Sequence, residues 1–452
     1  MGLTIKTGRD INMANPYLPN WEYIPDGEPR VFGDRVYIYG SHDLAGSDRF
    51  CDYKLKVWSA DIHRLDDWKC HGDAFHTRMD RDHESDTAWS DRELYAPDVV
   101  EKEGKYYLYA YIVGSKGCVA VSDRPEGPFE LVSRYQVQDH EDPILADGQF
   151  VDPGVLVDDD GRVYIYCGYL GSYMAEINAA NMYEILPGTF KKDILPTDEP
   201  FAFFEACSPR KVGDTYYLIY SPKIGSRLDY ATSHSPTGPF EYRGTIIDNG
   251  LDYPGGNNHG SICEIDGQWY IFYHRMTNNT VMSRRGCVER IEILPDGSIP
   301  QVEMTSLGFE VSLSPYRPTP ADAACMLKGG CFITERNVLD RAVVNIMNGS
   351  IIGYKYFDFG KDFSSSTMEF TAKIRGCGNK GTMRILIDDD AAGEEIGRCE
   401  IGADDGTVNT VVKCVTGVHT VYLVFEDGYS GYFGEFFKGR PICELESFVF
   451  HK

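Results

Sequence analysis

Three acids and a histidine stand at nearly the same distance before a glycine-bearing turn, in four separate parts of the chain. Asp26 lies 7 residues before Gly33, Asp152 9 before Gly161, Glu205 8 before Gly213, and His259 8 before Gly267. In a fifth segment of the same kind, the offset of 8 before Gly104 falls on Ala96 in "LYAPDVV". Acids scattered by chance would not keep this register. Carboxyls converging in this way suit hydrolysis of a glycosidic bond. One must be protonated to serve the leaving oxygen, and another ionised to activate water or attack carbon. Opposed protonation states need different surroundings. Glu205, in "FFEACSPRK", sits beside Phe203 and Phe204, where desolvation raises a pKa, so it is the expected general acid. Asp26, in the polar turn "YIPDGEPR", suits an ionised general base. Asp152, in "QFVDPG", is the expected third carboxyl, tuning the acid through like-charge proximity. Taken singly, an aspartate beside Pro or Gly is more often a turn or cap residue. The shared register is what favours catalysis.

Something must carry these residues to one place, and the chain repeats a single unit that can. Five segments read as an aliphatic strand, a tight turn and a tyrosine-rich strand. They are "PRVFGDRVYIYGSHD", "PDVVEKEGKYYLYAYIVG", "PGVLVDDDGRVYIYCGYL", "PRKVGDTYYLIYSPK" and "GSICEIDGQWYIFYHR". Their turn glycines are 71, 57, 52 and 54 residues apart, a spacing that suits four-stranded propeller blades better than solenoid turns. The expectation is an all-β chain with a five-bladed β-propeller over residues 1–308. A linker over 309–324, rich in "SPYRPTP", leads to a C-terminal β-sandwich (jelly roll) over 325–452, where short alternating runs such as "TMEFTAKIRG" continue. In a propeller the first strand of each blade lines the channel, which is where the four residues would meet.

Bulk properties narrow the partners. The 452 residues hold 69 acids against 44 bases, a formal charge of −25, which argues against nucleic acid and anionic membranes. An uncharged oligosaccharide suits such a surface. No stretch approaches a membrane span, and "MGLTIKTGRDINMANPY" lacks the apolar core of a secretory leader. The 13 cysteines show no CxxC pairs, which fits a reducing compartment, so a cytoplasmic protein is expected unless a leader has been removed. Oligomeric state is not legible.

The set "PDGEPRVFGDRVYIYGSHD", "FVDPGVLVDDDGRVYIY", "FFEACSPRKVGDTYYLIYS" and "NNHGSICEIDGQWYIFYHR" resembles glycoside hydrolase family 43 over about 300 residues. The resemblance implies a five-bladed propeller that cleaves β-xylosides or α-L-arabinofuranosides with inversion. It also implies Asp26 as base, Asp152 as the pKa-tuning group and Glu205 as acid. A channel metal, often calcium, would fall to His259, with waters filling a shell of six to eight ligands. The family usually has Asp-Pro at the base, whereas Gly27 follows Asp26 here, and Asp43 in "GSHD" stands close by as a rival. The tail is similar to family 6 carbohydrate-binding modules.

Asp43, Trp89 and Arg285 are expected to contact the sugar; Trp89 suits equally a cover over the second blade's core. The favoured activity is exo-acting β-xylosidase action on short hemicellulose oligosaccharides, with α-L-arabinofuranosidase as the alternative. A retaining mechanism is the competing chemistry, because "FEAC" is distantly similar to the sucrose- and fructan-cleaving propeller enzymes. A non-catalytic carbohydrate-binding protein is the reading from another class.

Overall fold

The computed structural model describes residues 14–114, 117–134, 136–137 and 150–452; residues 1–13, part of the expected first domain, lie outside them. Among the described residues the architecture is all-β apart from one 3-10 turn, Ala321–Ala323, and a seven-residue helix, Gly431–Phe437. No helix among the described residues is long and apolar enough to cross a membrane. No disulfide joins the cysteines among the described residues.

Five sheets follow one another along the chain. The first comprises Glu28–Phe32, Arg35–Tyr39, Lys54–Asp61 and Arg64–His76. The second comprises Leu94–Lys102, Lys105–Ile112, Cys118–Ser122 and Glu130–Arg134. Gly154–Val157, Val163–Gly168 and Ser172–Ile177 build the third, extended by short outer pieces. Phe203–Val212, Thr215–Pro222, Arg227–Ser233 and Glu241–Asp248 form the fourth. The fifth has three strands, Ser261–Ile265, Gln268–Thr277 and Thr280–Ile291, rather than four. After it the chain turns back to the fourth sheet, where Val302 bridges Ile247.

Local chemistry explains the hairpins. Phe32 pairs with Arg35, Lys102 with Lys105, Val212 with Thr215 and Ile265 with Gln268, closing two-residue turns at the Gly-acid dipeptides. Gly33 and Gly267 turn at φ 65° and 78°, the left-handed conformation that costs other residues most. Second strands such as "RVYIY" are β-branched and aromatic, and become almost wholly buried.

The five first strands are tied together by charge. Arg30 donates to both oxygens of Asp98, at 3.0 and 2.6 Å, and to the Val155 carbonyl oxygen at 3.0 Å. Arg210 donates to Glu28 at 2.7 Å and to the Ile262 carbonyl oxygen at 2.9 Å, and the Ser208 hydroxyl bonds both Glu28 and Ser261. This network joins residues from all five sheets. Each charge has a partner, which is the condition for burying it.

The C-terminal part holds two more sheets. One has Phe332–Glu335, Arg341–Ile346, Cys443–His451, Thr367–Gly376 and Gly406–Lys413 as its main path; the other has Met326–Lys328, Ile351–Asp358, Val418–Asp427, Gly381–Ile387 and Glu394–Ile401. In "TMEFTAKIRG" Met368, Phe370, Ala372 and Ile374 are buried, the alternation of a strand with one face on a core. Those residues share one apolar cluster with Tyr217, Ile262 and Tyr273 of the fourth and fifth sheets. Within 309–324, Thr319–Pro320 pairs with strand Cys443–His451, and the 3-10 turn is buried.

Candidate active site

Backbone strain marks the entries to the first strands. Asp26, Ala96, Asp152 and Ala206 hold φ of 55°, 32°, 51° and 62°. Left-handed non-glycine residues cost about 1–3 kcal/mol each and collect where geometry is functional. Pairing also breaks between Tyr95 and Asp98 and on both sides of Glu205. Such bulges re-aim side chains.

Asp26 is 5% exposed and lies among cations and imidazoles. Arg284 Nη1 donates to its Oδ1 at 2.8 Å. Nδ1 of His274 lies 3.4 Å, and Nδ1 of His259 3.7 Å, from the same oxygen. His274 Nε2 faces the Asn257 carbonyl oxygen at 3.0 Å, which takes its N–H, so Nδ1 accepts from the Asp26 backbone N–H. Burial alone would raise the Asp26 pKa, but the Arg284 guanidinium outweighs it and holds the carboxyl well below its usual range. Asp26 is therefore the carboxyl of the site held ionised.

Asp152 and Glu205 have the opposite environment. His259 Nδ1 is 3.8 Å from Asp152 Oδ2, so one imidazole touches both aspartates. Burial, then repulsion from Glu205 and Asp26, pushes Asp152 well above the carboxylate range. Burial and Asp26 push Glu205 up to about 7, against the pull of Arg284 and of the Asn257 amide that donates to Glu205 Oε1. The two carboxyls titrate as a pair, and mutual repulsion keeps a proton on it near neutrality. His259 is lowered to about 4, chiefly by burial, so its imidazole is neutral.

Of the seven expected site residues, Asp26, Asp152, Glu205 and His259 meet here. Asp43, Trp89 and Arg285 do different work. Asp43 is 1% exposed and spends both oxygens on Arg284, accepting from Nε, Nη2 and the backbone N–H, each at 2.9 Å. With the Cys51 N–H also on Oδ1 at 3.2 Å, it has no lone pair to spare for a sugar or for the base role. Arg285 faces away, donating to Asp322 Oδ2 at 2.7 Å. Neighbours on a strand point to opposite faces, and the register puts Arg284 on the site side. Trp89 packs, partly buried, on the core shared by the first two sheets.

Arg284, Asn257 and His274 were missed. The doublet "RR" signalled one functional arginine but not which, and "NNH" placed Asn257 two residues before His259. Arg284 also lies over the Phe50 ring at 5.1 Å. Beside Glu205, Tyr169 (43% exposed) meets Phe204 edge to face at 5.3 Å, an apolar rim suited to a sugar ring.

The arrangement can therefore hold one ionised and one protonated carboxyl around a common centre. Comparison with known proteins agrees with that chemistry. The family model "Glycosyl hydrolases family 43" matches residues 24–299. A xylosidase/arabinosidase of Thermoclostridium stercorarium is 42% identical over 347 residues, covering 69% of this chain and 72% of the relative. A β-xylosidase of Xylanibacter ruminicola is 32% identical over 338 residues, covering 64% of this chain and all of the relative. Among solved structures, a β-xylosidase/α-arabinofuranosidase of the family from a compost metagenome, in complex with xylotriose and calcium-free, is 29% identical. It covers 62% of this chain and 95% of that one, with a TM-score of 0.53. An arabinoxylan arabinofuranohydrolase from Bacillus subtilis shares the fold over 97% of both chains, at 22% identity and a TM-score of 0.52. The extent of the match, with the two carboxyl environments inside it, identifies the chain as a member of glycosyl hydrolase family 43.

Proposed function

We propose that this glycoside hydrolase releases single pentose units from short hemicellulose oligosaccharides with inversion, as a β-xylosidase foremost and as an α-L-arabinofuranosidase in the alternative. The carrying observation is the contrast between an Asp26 held ionised and an Asp152–Glu205 pair that retains a proton beside it. Asp26 takes a proton from water as the water oxygen bonds to the anomeric carbon. Glu205 gives its proton to the glycosidic oxygen, which leaves with the electrons of the broken carbon–oxygen bond. Burial and the charge of Asp26 raise the proton affinity of Glu205, Asp152 tunes the pair by keeping its own proton when Glu205 ionises, and Arg284 keeps Asp26 charged and in place. The xylosidase and arabinosidase names of the relatives support pentose as the sugar.

The test is a panel of nitrophenyl pentosides and xylotriose, with the first-formed anomer followed by NMR. A β-xyloside should yield α-xylose. Initial β-xylose would replace inversion by retention, and cleavage of no substrate would favour the carbohydrate-binding reading.

The pH profile follows from the same groups. A raised carboxyl pKa means a proton kept below that pKa and lost above it. We expect kcat/KM to fall as pH rises through about 7. The depressed Asp26 pKa keeps the base ionised into acid, so no loss is expected at the ordinary carboxylate range from that residue. A basic limb below pH 5, where an unperturbed glutamate titrates, would contradict the acid assignment.

In this reading the five sheets are blades of one propeller over 1–308, 309–324 connects the parts, and 325–452 is a jelly-roll sandwich resembling a family 6 carbohydrate-binding module. The five-way charge network between first strands supports the first. The whole-chain likeness to the Bacillus subtilis fold supports the rest. His259 supplies one nitrogen, and its neighbours Asp26 and Asp152 are needed for catalysis, so an ion here would be held mainly through water. The free thiols are consistent with a reducing cytoplasm.

A further inference from the structure

Away from the active centre, the end of strand Arg64–His76 and the loop after it gather a second set of ligand atoms. One nitrogen of His76 and one oxygen each from Asp73 and Asp80 lie within 4.8 Å of one another. His76 is 1% exposed, and its Nε2 is fully buried without a hydrogen-bond partner among the described residues. A buried imidazole nitrogen normally has a partner. The nearest candidate, Asp73 Oδ2, is 3.9 Å away, too far for a hydrogen bond. Asp80 Oδ2 is 3.9 Å from Nδ1. Two ligands on a tetrahedral Zn2+ ion sit roughly 3.4 Å apart, given bonds of about 2.0–2.2 Å. Asp73 thus faces one ring nitrogen and Asp80 the other, and with a single nitrogen as ligand the three atoms, spread within 4.8 Å, must close by as much as about an ångström to meet one ion.

Its neighbours hold it ready. The His76 backbone N–H donates to Asp86 Oδ2 at 2.7 Å, and the Asp86 N–H returns a bond to the His76 carbonyl oxygen at 2.8 Å. Asp80 Oδ1 caps the turn by accepting from the Asp82 and His83 N–H groups, which leaves Oδ2 free to turn inward. The His83 ring stacks on His76 at 4.1 Å and is the nearest further imidazole. Lys54 Nζ, 3.1 Å from Asp73 Oδ2, is the competing cation, and it is partly exposed and able to swing aside.

We propose that Asp73, His76 and Asp80 form a binding site for a divalent transition metal of the Zn2+ class. Imidazole nitrogen with two carboxylates selects that class, while calcium needs more oxygens than the cluster offers. The ion clamps the loop 77–93 to the first sheet. That loop leads directly into strand Leu94–Lys102, whose Tyr95 feels the charges of Arg284 and Asp152. The site is structural in kind and separate from the His259 centre.

The experiment uses the full chain stripped with chelator and titrated calorimetrically with ZnCl2. One Zn2+ per chain is expected in the wild type. Asp80→Asn keeps the turn-capping oxygen but removes a charged ligand, and Asp73→Asn removes the other. Each should weaken Zn2+ by at least about 10- to 100-fold. Zn2+ should also slow tryptic cleavage after Arg78 and Arg81 in the wild type and not in the variants. Equal melting temperatures of the metal-free proteins would separate lost binding from lost folding, with His76→Gln as a further variant. Absence of stoichiometric binding in the wild type, or unchanged affinity in Asp73→Asn and Asp80→Asn, overturns the proposal.

Discussion

Glu205→Gln is expected to lower kcat/KM on xylotriose by about 10²–10⁴-fold, the usual worth of a positioned proton donor. On a nitrophenyl xyloside the loss should be far smaller. Nitrophenolate leaves as an anion without protonation, whereas a sugar alkoxide does not. Glutamine preserves the shape of the side chain and can still pair with Asn257, so the change isolates the proton. The substitution also removes one member of the titrating pair, so the basic limb near pH 7 should disappear from the residual activity. Equal losses on both substrates would mean that Glu205 does not protonate the leaving group.

Asp26→Asn should be as damaging, about 10²–10⁴-fold, but without regard to the leaving group. Deprotonation of water is needed whichever aglycone departs. Asparagine still accepts from Arg284 but carries no charge. Arg284 remains paired with Asp43 through two short contacts, so the fold should survive. The depressed Asp26 pKa has its own consequence for stability. A carboxylate held below its unfolded value stabilises the fold above that value, and the contribution is lost as pH falls through the folded one. The variant should therefore melt a little earlier at neutral pH and differ less from wild type in acid. A steady-state comparison on nitrophenyl xyloside and xylotriose, with melting curves at both pH values, checks both statements. Retention of activity within tenfold on either substrate would remove Asp26 from the base role.

The contrast between these substitutions depends on one cation. Arg284 lies 2.8 Å from Asp26 and is itself fixed by Asp43. Desolvation by itself would protonate all three carboxyls; the arginine decides which one stays charged. On the opposite face of the same strand, Arg285 anchors to Asp322 in the buried turn leading to the C-terminal sheets. The connecting segment 309–324 thus steadies the strand that carries Arg284.

Much of this was legible in advance where it rests on short-range chemistry. The hairpins follow from Gly-acid dipeptides between alternating strands, and the offsets of Asp26, Asp152, Glu205 and His259 follow from the repeat. The expectations for Asp43 and Arg285 failed for different reasons. Asp43 has the right type and neighbourhood, but its partner is 241 positions away. Arg285 differs from Arg284 by one step of a strand, and one step reverses the face. The fifth sheet lost its fourth strand because the chain returns to the fourth sheet, a long-range choice with no local signal.

Composition, turn chemistry and periodicity by themselves determined an all-β chain with a repeated hairpin and acids at its strand entries. These are properties of residues close in sequence, set by backbone sterics and alternation. Only the tertiary structure decided which arginine meets Asp26, that Asp43 is committed to it, and that burial raises Asp152 and Glu205 while Asp26 is lowered. Charge and desolvation act through space, and the groups that set each pKa here come from strands of different sheets.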